Sequence, residues 1–337
     1  MNTPRTMHAV AITAPGGPEV LKRQSWPMPD CGPGDILIRI AAAGVNGPDL
    51  AQRRGVYDPP PGASVLPGLE VAGEVVALGA DVSAWQVGDQ VMALTNGGGY
   101  ADFVAVPAGQ VLPVPAGWSL AEAAGLPETW FTVTQTLVMR AGLAAGMSVL
   151  VHGAAGGIGG AAVQIAAILG ARPLAVVSSP AKAAYATALG AVATIDYTRT
   201  DVAAAALELT GGTGVDRVLD IIGGAMAQTN IDACARGGHI VQVSTLDGGT
   251  AQLSLRTIMA KQLTLSGSTL RPQSSATKAA IADHIRTHLL PTLAQPDGPR
   301  PAITRFSLDN AADAHRAMEA RTHLGKLVLV TPFGAGR

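Results

Sequence analysis

Gly153, Gly156, Gly157 and Gly159 stand between a short apolar run, Ser148–His152, and a long alanine-rich stretch. Residues of that type and spacing can hold a phosphate. Glycine lets the backbone turn tightly and approach an anion with no Cβ in the way. A helix starting directly afterwards offers unpaired N–H groups and the positive end of its dipole. The spacing is G-x-x-G-x-x-G rather than G-x-G-x-x-G, so the weight rests on context: a strand before, a helix after, inside a repeated β-α pattern. Gly153, Ala155, Gly156, Gly157, Ile158 and Gly159 are therefore expected to wrap the pyrophosphate of a dinucleotide. A glycine turn holding no ligand is the bland alternative.

A site for NAD places an acid about 20 residues beyond the glycines, at the end of the next strand, to bind the ribose hydroxyls. Here that place reads Val177-Ser178-Ser179-Pro180-Ala181-Lys182, without an acid. Hydroxyls and a lysine would hold a 2′-phosphate through charge-assisted hydrogen bonds, whereas a carboxylate would repel it. NADPH is the expected cofactor, with Ser178, Ser179 and Lys182 as its selectivity residues. Tyr197, just past the following strand, stands beside the same phosphate in this reading. Lys182 as a solvated helix residue and Tyr197 as an edge-packing residue are the competing readings.

Elements that would position these groups follow from the pattern of the chain. Up to about residue 125, glycine and proline separate short β-type runs, Ile36–Ile40, Val71–Leu78, Gln90–Ala93 and Phe103–Val106, with one helix over Pro48–Arg54. That is the pattern of a compact, mostly antiparallel β domain. Beyond Pro127 a helix spans Glu128–Arg140. Strands Ser148–His152, Pro173–Val177, Val192–Ile195, Asp216–Asp220, His239–Val243 and Leu263–Leu265 then alternate with helical segments, among them Ala161–Leu169 and Lys182–Leu189. Such alternation calls for a parallel sheet covered on both faces, and the number of strands suits the order 3-2-1-4-5-6. Ser244, Thr245 and Ser268 follow late strands, where the crevice outside strand C-termini lies, and are read as cofactor contacts.

Composition narrows the class. The chain has 337 residues, 48% hydrophobic and 14% charged, with a formal net charge of -1 and interspersed signs. Nothing there gives the basic footprint of a nucleic-acid binder. No apolar run reaches the ~18 residues of a membrane span, and the apolar stretch before Pro15 is short for a signal peptide, so a cytoplasmic location is expected. Cys31 and Cys234, far apart, read as reduced thiols. His152 ends a buried strand and reads as a core histidine.

Several segments carry a resemblance over nearly the whole chain: Gly16-Gly17-Pro18-Glu19-Val20-Leu21, Gly55-Val56-Tyr57-Asp58-Pro59-Pro60-Pro61-Gly62-Ala63, Pro67-Gly68-Leu69-Glu70-Val71-Ala72-Gly73, Gly97-Gly98-Gly99-Tyr100-Ala101 and Leu324-Gly325-Lys326. With the glycine loop, they resemble the medium-chain dehydrogenase/reductase superfamily, in its quinone oxidoreductase branch and nearest its tumour-suppressor-inducible members. The resemblance implies an α/β fold in which a Rossmann doubly wound parallel sheet is inserted in a GroES-like, mostly β catalytic domain. The implied boundaries are 1–126 for the catalytic domain, 127–269 for the NADPH-binding domain and 270–337 for the return to the first. It also implies a homodimer formed through the cofactor domain. Relatives nearest in sequence carry a serine where this chain has Gly156, so one hydroxyl contact to the cofactor is absent.

Zinc-dependent members of the superfamily use a Cys after a Gly-Val pair and a His within Gly-His-Glu. Here the corresponding places read Gly44-Val45-Asn46 and Gly68-Leu69-Glu70. An amide and a leucine cannot replace a thiolate and an imidazole, so no metal is expected. Without one, the protein supplies position, dryness and a hydrogen bond to the oxygen gaining charge. By resemblance, Tyr57 and Asn46 are the polar pair near the nicotinamide and the catalytic candidates, Thr132 lies beside the same ring, and Arg321 is a cofactor-side arginine. Cofactor packing without proton transfer is the competing reading of Tyr57, and an ordinary back-bonded helix threonine that of Thr132. The expected activity is NADPH-dependent reduction of a quinone or similar conjugated carbonyl. Reduction of an activated C=C bond, as in enone or enoyl reductases, is the enzymatic alternative; a dinucleotide-binding sensor or structural protein is the non-enzymatic one.

Overall fold

The computed structural model describes residues 6–295 and 298–336. Strands β1 (Thr6–Ile12) and β2 (Leu21–Pro27) pair antiparallel. Strands β3 (Asp35–Gly44), β4 (Glu70–Leu78), β5 (Gln90–Leu94), β6 (Phe103–Pro107) and β7 (Val111–Pro113) follow. Next come β8 (Ser148–His152), β9 (Arg172–Val177), β10 (Ala193–Asp196), β11 (Val215–Asp220), β12 (Cys234–Gln242) and β13 (Thr264–Gly267); β14 (Ile303–Ser307) and β15 (Lys326–Val330) close the chain. Two compact units result, residues 6–131 with 271–336, and residues 132–270.

The first unit is a GroES-like β domain built around β3, which bonds antiparallel to β4, β6 and β15. A strand with neighbours on both edges and cover on both faces must be apolar almost throughout. β3 accordingly runs Ile-Leu-Ile-Arg-Ile-Ala-Ala-Ala, with only Arg39 of that run exposed. Ile36, Ile38, Ile40, Val71, Val75 and Val91 form its core. β14 and β15 lie parallel, joined through the helix Ala311–Ala320. The arginine and serine of β14 hide it from a pattern search.

The second unit is a Rossmann-like sheet. Its strands run β10-β9-β8-β11-β12-β13, every pairing parallel. In chain order that is 3-2-1-4-5-6, the doubly wound arrangement whose ligands sit outside the strand C-termini near the first strand. Leu150, Leu174, Val176, Val218 and Ile231 pack its interior.

Two helices differ from expectation. The helix after β8 starts at Gly157, not Ala161. Glycine's helix penalty of about 1 kcal/mol is outweighed here by the close approach its missing side chain permits. The helix over 128–140 is α-helical only through Pro127–Val133, then widens over Thr134–Arg140, where the Ala141 N–H reaches back five residues to the Thr136 carbonyl. No helix among the described residues is long and apolar enough to cross a membrane.

Candidate functional site

In the second unit, β8 ends at His152 and the chain turns at Gly153, whose φ of +61° lies in the left-handed region. The turn is closed by the Gly156 N–H donating to the Gly153 carbonyl at 2.9 Å. Gly156 caps the helix Gly157–Ile168 with no side-chain bond, so the first-turn amides of Gly157, Ile158 and Gly159 face outward without intrahelical acceptors. A Cβ on Gly159 would lie 2.2 Å from the Gly153 carbonyl oxygen, whereas one on Gly156 would meet nothing nearer than 3.4 Å. Gly159 is therefore required by packing. Gly156 is open enough for a side chain.

His152, 1% exposed, donates through its Nε2–H to Asn230 Oδ1 at 2.7 Å. Asn230 Nδ2 in turn donates to Asp220 Oδ2 at 2.9 Å, and Asp220 Oδ1 accepts from the amides of Ile222 and Gly223. Burial holds the His152 imidazole below its ordinary pKa, so it stays neutral. It is a strut between the glycine loop and the loop after β11.

At the end of β9 the Lys182 Nζ donates to Ser178 Oγ at 3.0 Å, while Ser179 caps the helix Pro180–Ala188 by accepting from the Lys182 N–H. Tyr197 is 53% exposed, and its backbone N–H bonds the Val177 carbonyl, bringing it beside this pair. Asp196, the acid nearest in register, accepts from the N–H and hydroxyl of Thr198; these bonds hold its carboxyl below the usual range. Ser244 and Thr245 are exposed beyond β12, and Ser268 follows β13 and donates to Gln135 Oε1 at 2.9 Å. These groups all lie at strand C-terminal ends. Thr132 is 6% exposed and its hydroxyl makes no bond within the described chain.

In the first unit, Asn46 is buried between β3 and the helix Gly47–Arg53. Both ends of its amide are engaged: Nδ2 donates to Glu70 Oε1 at 2.8 Å, and Oδ1 accepts from Lys326 Nζ at 2.6 Å. Glu70, wholly buried, also pairs with Lys326 at 2.6 Å and accepts the Glu128 N–H on its other oxygen at 2.9 Å. Asp49 accepts from the amides of Asn46 and Gly68; burial lifts its carboxyl to about 6.

Tyr57 lies half-buried under the Arg271 guanidinium, 5.6 Å from its ring centroid. Burial pushes the phenol above its usual pKa, opposed by Arg271. Arg271 donates twice to the Asn96 carbonyl, and Lys278, 1% exposed, donates to Asn96 Oδ1 and the Arg271 carbonyl. Burial lowers the Lys278 ammonium to about 8. Asn96 also lines a cleft of about 470 Å³ whose walls include Trp26, Met28 and Phe103. Arg321 is exposed at the C-cap of the helix Ala311–Ala320, with φ of +54°.

Sequence reasoning did not find Asp49, Asn96, Glu128, Arg271 or Lys278. The one available signal was a charge set in an apolar run, as in Leu126-Pro127-Glu128-Thr129-Trp130-Phe131. Among the described residues no group of three or more His, Cys, Asp or Glu side chains is placed to hold a metal ion.

A GroES-like β unit and a parallel dinucleotide-type sheet, with amide and leucine at the former ligand positions, define a metal-independent dehydrogenase/reductase. The comparisons agree. Residues 32–116 match the model of the alcohol dehydrogenase GroES-like domain, and 157–284 that of the zinc-binding dehydrogenases. A quinone oxidoreductase of Pseudomonas aeruginosa is 33% identical over 325 residues, covering 95% of this chain and 98% of its own. The structure of a quinone oxidoreductase from Pseudomonas syringae pv. Tomato superposes with a TM-score of 0.83 at 31% identity, over 96% of this chain and 99% of that one. The mycobacterial protein Rv1454c, solved with NADPH, gives 0.81 at 30% identity, over 96% and 100%. The chain belongs to the medium-chain dehydrogenase/reductase superfamily, in its zinc-independent, quinone-oxidoreductase-like branch. An oxidoreductase using a nicotinamide dinucleotide is the activity this supports.

Proposed function

We propose that the protein reduces a quinone or similar conjugated carbonyl with NADPH, the tumour-suppressor-inducible quinone oxidoreductases being its nearest functional analogues. The observation that carries the cofactor assignment is the Lys182–Ser178 pair at the end of β9, with Asp196 folded onto its own turn. An ammonium and a hydroxyl already in contact offer a 2′-phosphate a prepared pair of donors. Gly153, Ala155 and Gly156 to Gly159 hold the pyrophosphate, Ser179 and Tyr197 flank the adenosine phosphate, and Thr132, Ser244, Thr245 and Ser268 meet the nicotinamide half. NADPH supplies the hydride when bound. Tyr57 orients the acceptor oxygen by a hydrogen bond, Asn46 fixes the helix and the ion pair behind it, and Arg321 contributes from the cofactor side.

A panel assay tests this: NADPH oxidation with quinones, enones and enoyl-thioesters, repeated with NADH. Quinone turnover with NADPH preferred over NADH is the expected result. Equal or better use of NADH removes the role given to Ser178 and Lys182. Tight NADPH binding with no turnover of any acceptor indicates a sensor instead.

The assembly in this reading is a cytoplasmic homodimer formed through the second unit. β13 is the outer strand of its sheet, with Leu265 42% exposed, and the helix Leu255–Lys261 leading into it exposes Leu255 and Met259 by 71% and 73%. An open strand edge beside apolar side chains is a template for pairing with a second copy.

A further inference from the structure

Glu128 is a buried carboxyl of the first unit's polar cluster that the proposed function leaves without a task. It is 8% exposed, and its backbone N–H is used by Glu70, but its carboxyl makes no hydrogen bond or ion pair within the described chain. Buried polar groups are satisfied in the great majority of cases, and an orphan calls for an explanation. Among the described residues its oxygens do not belong with the sealed, unpartnered side-chain atoms, so the carboxyl keeps some accessible surface. Glu128 is also four residues before Thr132 on the helix Pro127–Val133, and residues so spaced share one face.

We infer that Glu128 is the catalytic acid of the reaction, donating the proton that completes reduction of the conjugated acceptor. The inference rests on the hydride-transfer reading above and deepens it. As the hydride and its two electrons reach the acceptor, negative charge collects on the carbonyl oxygen or the α-carbon. The Glu128 O–H bond breaks, a new O–H or C–H bond forms on the acceptor, and the carboxylate left behind is reprotonated from solvent. The balance is acceptor plus reduced nicotinamide plus one proton, giving the dihydro product and oxidised nicotinamide.

The surroundings keep that proton in place at neutral pH. Burial first, then the negative charge of Glu70 on β4, raise the Glu128 carboxyl to about 8, with Asp49 adding to the rise. Lys326 on β15 and Lys278 on the helix Ser275–His284 act the other way. Both ammonium groups are spent elsewhere, Lys326 on Glu70 and Asn46, Lys278 on Asn96 and the Arg271 carbonyl. Tyr57 and Arg271 are near enough for each to feel the Glu128 charge. Of the two protic groups, Glu128 suits proton donation better, because an efficient acid has a pKa near the working pH and burial moves the phenol away from it.

Glu128→Gln tests the assignment in the full-length protein loaded with NADPH, using an enone that the wild type reduces. The side chain makes no bond to be lost, so the variant folds. Its kcat is expected to fall about 100-fold, within the usual range for a removed general acid, while the NADPH Kd from nucleotide fluorescence stays within threefold. The wild-type kcat falls as pH rises through about 8, where Glu128 loses its proton; in E128Q that fall disappears. Tyr57→Phe lowers kcat less and leaves the alkaline fall in place. A folded-state pKa above the unfolded one also means that wild-type stability declines as pH rises from the ordinary glutamate range towards 8, and that E128Q lacks this decline. An E128Q variant keeping kcat within threefold and the wild-type pH profile overturns the inference alone. Wild-type protein that binds NADPH but reduces no acceptor overturns the functional reading and this inference together.

Discussion

Two single methyl groups, placed three residues apart in the glycine loop, should have opposite consequences. Gly159→Ala puts a Cβ 2.2 Å from the Gly153 carbonyl oxygen and 2.7 Å from the Ala154 Cα, both backbone atoms that cannot rotate away. Ordinary contact begins near ~3.5 Å, so loop and helix must part by about 1 Å. Overpacking of that kind costs roughly 1–3 kcal/mol and displaces the amides that would meet the pyrophosphate. At 1.4 kcal/mol per tenfold, a loss of about 3 kcal/mol weakens NADPH binding on the order of 100-fold. Gly156→Ala adds the same atom at φ of -92°, 3.4 Å from its nearest neighbour. Its Kd should stay within about threefold, because neither clash nor strain arises. Fluorescence titration of NADPH, with thermal unfolding of the apo forms as control, separates the two. Should G159A bind as tightly as wild type, or G156A lose as much as G159A, the backbone cradle is not where the nucleotide sits.

Lys182→Ala removes the part-buried ammonium beside Ser178; a screened, charge-assisted bond of about 1.5 kcal/mol should cut the NADPH-to-NADH preference in kcat/KM roughly tenfold, leaving NADH turnover nearly unchanged. Met259→Glu with Leu265→Lys should shift the protein towards monomer in light scattering while each unit keeps its fold, since both side chains are exposed on the outer edge of the sheet. Lys326→Met strands the Glu70 carboxylate in the core and should cost about 3–5 kcal/mol in denaturant unfolding. The double variant with Glu70→Leu should recover part of that loss, because it leaves no unpaired buried charge.

What was legible in the sequence was local. The strand–glycine–helix junction at 148–168 announces itself because each residue there answers to a backbone requirement: turning at Gly153, close approach at Gly159, amides aimed outward at the helix start. The alternation of apolar runs after residue 148 likewise determines a parallel sheet, since strands buried on both faces have little freedom of composition. β14 escaped notice because an edge strand keeps exposed polar residues, here Thr304, Arg305 and Ser307. Propensity alone puts the helix start four residues late, at Ala161 rather than Gly157, because packing at the glycines overrides it. Least legible were the buried charges. Only the apolar run around Glu128 hints at its burial, and nothing adjacent to Lys278 in the chain distinguishes it from a surface residue; these burials are decided by β4, β15 and a helix from distant parts of the sequence.

That remote assembly bears on how a site works after losing its metal ligands. Asn46 and Leu69 cannot coordinate, yet Glu70 stays buried beside them, and a carboxylate there without a cation would be costly. Lys326 supplies the cation from the other end of the chain, and Asn46 ties the two together. The pair is locally neutral, but it uses up the charge that would otherwise ionise the next carboxyl along. Glu128, with its backbone on Glu70 and its side chain open, is then driven to hold its proton by the same arrangement that stabilises Glu70. The ion pair and the acid are thus one device: removing Lys326 should raise the pKa of Glu128 further, and removing Glu70 should lower it. A titration of the alkaline fall in kcat across K326M and E70Q that moved in the opposite directions would break that link.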